Sequence, residues 1–297
     1  MLKAPHWEWN VVSYLFLGGI TGGLGILCAL ADPAKEDERR MRRSLRYASL
    51  VLAAANPGLL ITHLGRPERF LNMMRIVKFK SPMSLGVWGL IAYSGAAGAN
   101  VMRELAESNV IPRWLRHLAP SPFTALHALT GAFIGGYTGV LLSATANPLW
   151  SSGKRHIPAA SVSSGIAGAC ALASLISVIE GNHGVARKLE RFEMVAGAAE
   201  ALLLSSFEKH AGEYGKPLFK GKHGERLRTY TLLGGILAPM ALNLAGSAIK
   251  LPKPLDAIRT IAASMLTLAG GYVFREVLIE AGKASARDPH AAFIQPK

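Results

Sequence analysis

The chain has 297 residues, 50% of them hydrophobic and only 18% charged, with a mean hydropathy of +0.26. A soluble domain of this length carries about a quarter charged residues, which argues against a soluble enzyme. The net charge of +14 is not read as a nucleic-acid signal, because the Lys and Arg residues lie between apolar runs, where membrane proteins keep them.

Along the chain, the stretches 9–31, 81–102, 118–153, 157–179 and 229–249 contain no Asp, Glu, Lys or Arg. Each is long enough to cross a hydrocarbon core of about 30 Å, which takes roughly 20 helical residues. Weaker apolar runs fill the gaps: 47–62 holds Asn56-Pro57, 194–207 holds Glu200, and 260–274 runs up to Arg275. The pattern predicts helices near 11–31, 45–63, 83–103, 122–145, 158–180, 191–209, 229–249 and 258–280. The expected fold is all-α: a polytopic membrane protein of eight transmembrane helices in two four-helix bundles, with both termini on one side. The polar, proline-bearing connection from Asn147 to Pro158 divides it into halves 1–150 and 151–297. No cleavable signal peptide is expected, because the apolar run from Val11 to Ala31 is too long for a signal core.

Small residues recur at helix-packing spacing in Gly18/Gly22, Gly19/Gly23, Gly131/Gly135 and Gly135/Gly139. In lipid such positions let helix backbones approach closely. Cys28 and Cys170 lie inside apolar runs, and two cysteines fall short of the four that an iron–sulfur cluster takes. No metal site is expected in this chain, so metal centres, if electrons move here, belong to another protein.

The positive-inside rule does not orient the chain. Segments on the face of the N-terminus hold 18 basic residues and those opposite hold 15. A near tie indicates that one set is basic for a second reason, and 63–82 and 208–228, with 11 basic residues between them, are candidates for docking a soluble partner. Within 63–82 the docking candidates are Arg69, Arg75, Lys78 and Lys80.

Eight spans bring the start of helix 1 and the ends of helices 2 and 4 to one face. The residues placed there are His6, Trp7, Trp9, Asn10 and Tyr14, then His63, Gly65 and Arg66 within 63–70, then Tyr137 and Asn147. Trp7, Trp9 and Tyr14 also suit an interfacial aromatic belt. Tyr137 is deeper, about 12 Å from the predicted helix end, and a buried phenol needs a hydrogen-bond partner. A flat carbonyl-bearing ligand such as a quinone supplies one, and its redox chemistry needs donors, acceptors and a proton route to water. Haem is not expected: a membrane b-type haem needs two facing axial histidines, and only His127 lies well inside a span. Glu193, Glu200 and Arg275 are the ionisable residues of the second half, either a structural ion pair or a proton path.

Several motifs carry a family resemblance. Trp7-Glu8-Trp9-Asn10, then Tyr14-Leu15-Phe16-Leu17-Gly18-Gly19 and Gly22-Gly23, resemble the first helix of the NrfD/PsrC family, the polysulfide reductase NrfD-like proteins. His63-Leu64-Gly65-Arg66-Pro67-Glu68-Arg69-Phe70 through Arg75, Ser81 to Ser84 with Trp88, and Tyr137 to Ser143 with Asn147 to Trp150 extend the likeness. So do Leu189 to Glu193 and Gly270-Gly271 before Arg275, which carries it over nearly the whole chain.

The resemblance implies an eight-helix subunit of the inner (plasma) membrane of a bacterium or archaeon, free of haem and metal. It implies exchange of electrons between menaquinone or ubiquinone and a ferredoxin-like iron–sulfur subunit carrying four [4Fe-4S] clusters, itself joined to a molybdopterin or other catalytic subunit. The family's quinone pocket falls here on Asn10, Tyr14, His63 and Tyr137. Two positions depart from the pattern: some members have a histidine where Tyr14 stands, and many have an acid where His63 stands. The alternative function, from a different class, is a secondary transporter or proton channel using Glu193, Glu200 and Arg275.

Overall fold

The computed structural model describes residues 7–32, 39–62, 72, 74–75, 77–78, 80–118, 122–249 and 251–288. Among these the only regular secondary structure is helix, with no strand. The long segments are α1 (Trp9–Ala31), α2 (Arg39–Thr62), α3 (Pro82–Glu107), α4 (Pro122–Ser143), α5 (His156–Ile179), α6 (His183–Ala211), α7 (Gly221–Ala248) and α8 (Lys253–Arg287). Six of them, α1, α2, α4, α5, α7 and α8, are long and apolar enough to cross a membrane. α3 and α6 are of similar length but less apolar.

Several helices run further than hydropathy suggests, because a charge ends an apolar run without ending a helix. α2 begins at Arg39 rather than near residue 45, and its extra turns carry arginines that find acids on other segments. Arg46 meets Glu104 of α3 at 2.8 Å and Asp32 at 2.6 Å, while Arg42 reaches Glu107 at 3.6 Å. α6 begins at His183, where the Asn182 side chain accepts from the Val185 N–H at 3.2 Å. The first turns of α8 are held by a second cluster, in which Arg259 donates to Glu190 at 2.9 Å and to Asp256 at 2.8 Å, and Arg187 reaches Asp256 at 3.1 Å. Both clusters lie on the face away from the N-terminus.

α1 is the most enclosed helix and packs against α2, α4, α5 and α8. Its glycines work in two directions. A Cβ on Gly22 would stand 2.6 Å from the Gly135 nitrogen of α4, and one on Gly23 would stand 2.7 Å from the Ala169 Cβ of α5. Contact this close is impossible with larger residues, so the doubled Gly18-Gly19-x-x-Gly22-Gly23 pattern places one helix against two partners. α4 also packs on α5, so residues on either side of position 150 share a continuous interface.

α7 departs from regular geometry. Leu227–Leu237 is π-helical, and the Ala238 N–H bonds to the Leu233 carbonyl five residues back. Pro239 follows directly and has no N–H to continue an i→i−4 ladder, so the widened turns lead into a residue that cannot donate. The widened stretch lies against α8, where the Thr231 hydroxyl donates to the Gly270 carbonyl at 3.4 Å.

Candidate functional site

At 1.5 Å per residue, Tyr14 lies about 8 Å into α1, and Asn56, Trp88 and Tyr137 lie about 9 Å from the corresponding ends of α2, α3 and α4. Four helices thus present a polar side chain at one depth below the N-terminal face. Tyr137 is buried; its ring stacks on Phe133 with centroids 5.8 Å apart, and it occupies the space that a side chain at position 86 would take. Gly86 is therefore the cradle of the Tyr137 ring. Tyr14 packs with Val12, Leu15 and Ile279.

Two groups at this depth have orphaned polar atoms: the Asn56 carbonyl oxygen and the Trp88 indole N–H. An orphaned acceptor and an orphaned donor each cost free energy unless a ligand or water completes them. Sequence reasoning singled out neither Asn56 nor Trp88 as a site residue; the Asn-Pro pair inside an apolar run was the available signal for Asn56.

Asn10 is half-buried and its side chain accepts from the Val11 N–H at 2.9 Å. His63, Gly65, Arg66 and Arg69 lie outside the described residues. Arg75, Lys78 and Lys80 are exposed ahead of α3, and the Lys78 N–H donates to the Ser84 hydroxyl at 3.0 Å. Trp7 stacks on Trp150 with centroids 5.1 Å apart, and Asn147 donates to the Gly282 carbonyl at 2.7 Å, so both serve to tie this end of the molecule to α8.

Deeper in the first half a series of polar groups runs on from Asn56. Its amide donates to the Thr21 hydroxyl at 2.8 Å, and the Tyr93 phenol donates to the Thr21 carbonyl at 2.5 Å. Ser49 lies 2.7 Å from Tyr93 and 2.9 Å from His127 Nε2. His127 Nδ1 lies 3.0 Å from the Asn100 amide, whose oxygen accepts from Thr124 at 3.1 Å. One assignment satisfies every donor: Asn100 donates to Nδ1, Nε2–H to Ser49, and Ser49 to Tyr93. Both nitrogens of His127 are therefore engaged by side chains.

In the second half Glu193, Glu200, Thr231, Asn243 and Thr267 line a cavity of about 10 Å³, space for one water centre. Thr267 donates to Glu193 at 2.5 Å, while the second Glu193 oxygen, one Glu200 oxygen and the Asn243 amide have no partner. Arg275 donates to the Ser161 carbonyl at 3.1 Å, leaving Nε and Nη1 unpartnered. Among the described residues no group of three or more His, Cys, Asp or Glu side chains is placed to hold a metal ion.

The family model for NrfD, polysulphide reductase, matches residues 2–286. The chain belongs to the NrfD family. It is 27% identical to the C subunit of the polysulfide reductase of Wolinella succinogenes and 25% identical to the NrfD homolog of Haemophilus influenzae, each match covering 93% of this sequence and 94% of the relative. The NrfD protein of Escherichia coli is 30% identical over 46% of this sequence and 49% of its own. With six helices among the described residues long and apolar enough to cross a membrane, this NrfD-family protein is an integral membrane protein.

Proposed function

We propose that this protein is the quinone-binding membrane subunit of a respiratory oxidoreductase complex in a bacterial or archaeal inner membrane. All eight long helices span the bilayer, α3 and α6 included, as two four-helix halves divided near residue 150. The quinone site is formed by Asn10, Tyr14, His63, Gly65, Arg66 and Tyr137. The observation that carries this reading is the buried Tyr137 phenol, level with Tyr14 and with the orphaned Asn56 oxygen and Trp88 N–H.

A quinone, menaquinone or ubiquinone, supplies the two-electron, two-proton chemistry. The protein's own residues supply the rest. Tyr137 and Tyr14 offer hydroxyls to the ligand's oxygens, Asn56 and Trp88 offer an acceptor and a donor with no other partner, and the helices exclude water from that depth. In sequence His63 and Arg66 follow directly on α2, and in this reading they exchange protons with bulk water. A ferredoxin-like iron–sulfur subunit, carrying four [4Fe-4S] clusters and joined to a molybdopterin subunit, docks on 63–82, including Arg69, Arg75, Lys78 and Lys80, and on 208–228. That partner is suggested by the relative named as the C subunit of a polysulfide reductase and by the basic character of both segments.

The test is quinol-dependent electron transfer in the assembled complex with Tyr137→Phe and His63→Ala. Loss of turnover with the complex intact supports the site, and unchanged turnover in both variants overturns it.

A second reading has its own observation, the unpartnered carboxylate oxygens of Glu193 and Glu200 beside a water-sized cavity. In that reading Glu193, Glu200 and Arg275 form a proton path, and the protein acts as a channel or secondary transporter. Glu200→Gln abolishing proton uptake into vesicles while quinol oxidation continues would support the path. Equal proton uptake in the variant and the parent would remove it.

A further inference from the structure

A second cleft opens on the same face, away from Tyr137, between the start of α5 and the end of α6. Its volume is about 830 Å³, and its walls include Lys154, Arg155, His156, Leu203, Ser206 and His210. Among the described residues, those that line it include no carboxylate. The nearest acids in sequence are turned elsewhere: Glu208 pairs with Arg228 at 3.1 Å, and Glu213 pairs with Lys216. Lys154 and Arg155 are exposed, and the positive charge they bring to the cleft has no acid in its described walls to offset it.

The interior of the cleft is also incomplete. His156 Nε2 lies 3.2 Å from the Ser206 hydroxyl, but its Nδ1 is buried without a partner. The His210 ring stands 5.2 Å from that of His156, which brings two imidazoles to the wall shared with Lys154 and Arg155. An anion with several acceptor oxygens would meet the Lys154 and Arg155 cations beside the His156–Ser206 pair and the His210 ring.

The lining is graded with depth. The basic groups stand at the helix ends, while Leu203 lies about 12 Å before the end of α6. Next to it α6 exposes Leu202, and two turns further from the mouth Val195. The cleft thus leads from a cationic mouth onto a flank made for acyl chains, an arrangement that suits a lipid better than a protein segment.

We propose that this cleft binds the phosphodiester headgroup of an anionic phospholipid, with one acyl tail against Leu203. Lys154 and Arg155 supply the charge, and His156, Ser206 and His210 supply hydrogen bonds to the phosphate oxygens. The site shares no residue with the Tyr137 region, and of the segments proposed to dock the partner subunit it uses only His210 of 208–228, so the partner arm of the test below separates the two readings.

The experiment uses the full-length protein, purified in detergent and examined by native mass spectrometry for retained phosphatidylglycerol. The parent protein is expected to retain it in preference to phosphatidylcholine, and Lys154→Gln/Arg155→Gln to hold it roughly tenfold more weakly. Lys220→Gln/Lys222→Gln, which removes the same charge from exposed positions outside the cleft, is expected to retain it. Equal retention in the cleft variant, or equal loss in the control, overturns the proposal. Acylation footprinting of Lys154 in the parent protein provides a readout that needs no variant. Protection in bilayers containing phosphatidylglycerol but not in phosphatidylcholine alone supports the site. Protection only when a partner subunit is bound assigns the cleft to a protein and refutes it.

Discussion

The imidazole Nε2 of His127 lies 2.9 Å from the Ser49 hydroxyl, joining two residues 78 positions apart in the middle of the first half. Both are buried, and the pair ties α4 to α2 through a network that also engages Tyr93, Asn100 and Thr124. In a low-dielectric interior such a network stabilises only when every member is satisfied. Ser49→Ala strands His127 Nε2–H and should cost about 1–3 kcal/mol, read as a lowered unfolding temperature of the purified protein. Ser49→Thr, which restores the hydroxyl, should recover part of the loss.

The Gly86 cradle separates positioning from chemistry at Tyr137. Gly86→Ala inserts a Cβ where the Tyr137 ring sits, so it should raise the KM for quinol with a smaller change in kcat. Tyr137→Phe removes only the hydroxyl and should lower kcat by roughly a hundredfold. Steady-state quinol oxidation by the assembled complex distinguishes the two.

Arg46 and Glu104 form a buried pair at 2.8 Å, each side chain 1% exposed. Glu104→Gln removes one of the two acidic partners of Arg46, Asp32 remaining at 2.6 Å, and should cost about 2 kcal/mol. Arg46→Met/Glu104→Leu removes the two most buried charges and should cost less than Arg46→Met alone, because the charges left behind are partly exposed and keep partners, Asp32 with Arg103 at 3.4 Å and Arg42 with Glu107 at 3.6 Å. Thermal unfolding of the three proteins in the same detergent checks the order.

Gly23 and Gly58 are both helical glycines with opposite expectations. A Cβ on Gly23 would stand 2.5 Å from the Gly165 carbonyl oxygen, while one on Gly58 meets nothing within 4 Å. Gly23→Ala should therefore push α1 from α5 and cost about 1–3 kcal/mol. Gly58→Ala should be neutral or slightly stabilising, since it only removes backbone freedom. Comparing their unfolding temperatures tests whether backbone contact, not glycine itself, matters.

Much of this molecule is legible in one dimension. The charge-free runs mark the membrane-crossing class because a window of about 20 residues decides whether a helix can sit in hydrocarbon. The Gly18-Gly19 and Gly22-Gly23 pairs mark α1 as a packing helix, and the motifs around Trp7, Arg66 and Tyr137 mark the family. Helix ends are less legible: charged turns at Arg39–Arg46 and Asp256–Arg259 read as loops, since their stabilising acids, Glu104 and Glu190, lie 58 and 69 positions away.

What a buried polar group touches is decided only by the fold. Nothing local to Ser49 indicates His127, and nothing local to Glu193 indicates Thr267, 74 positions on. Glu193 is visible as an intramembrane acid, but which of its oxygens is satisfied depends on where α8 lies against α6. The cleft between Lys154 and His210 is equally hidden, because two short basic stretches become one site only when α5 and α6 pack side by side. Hydropathy is a sum over neighbours in sequence, whereas hydrogen bonds and uncompensated charge depend on neighbours in space, which only the packed helices bring together.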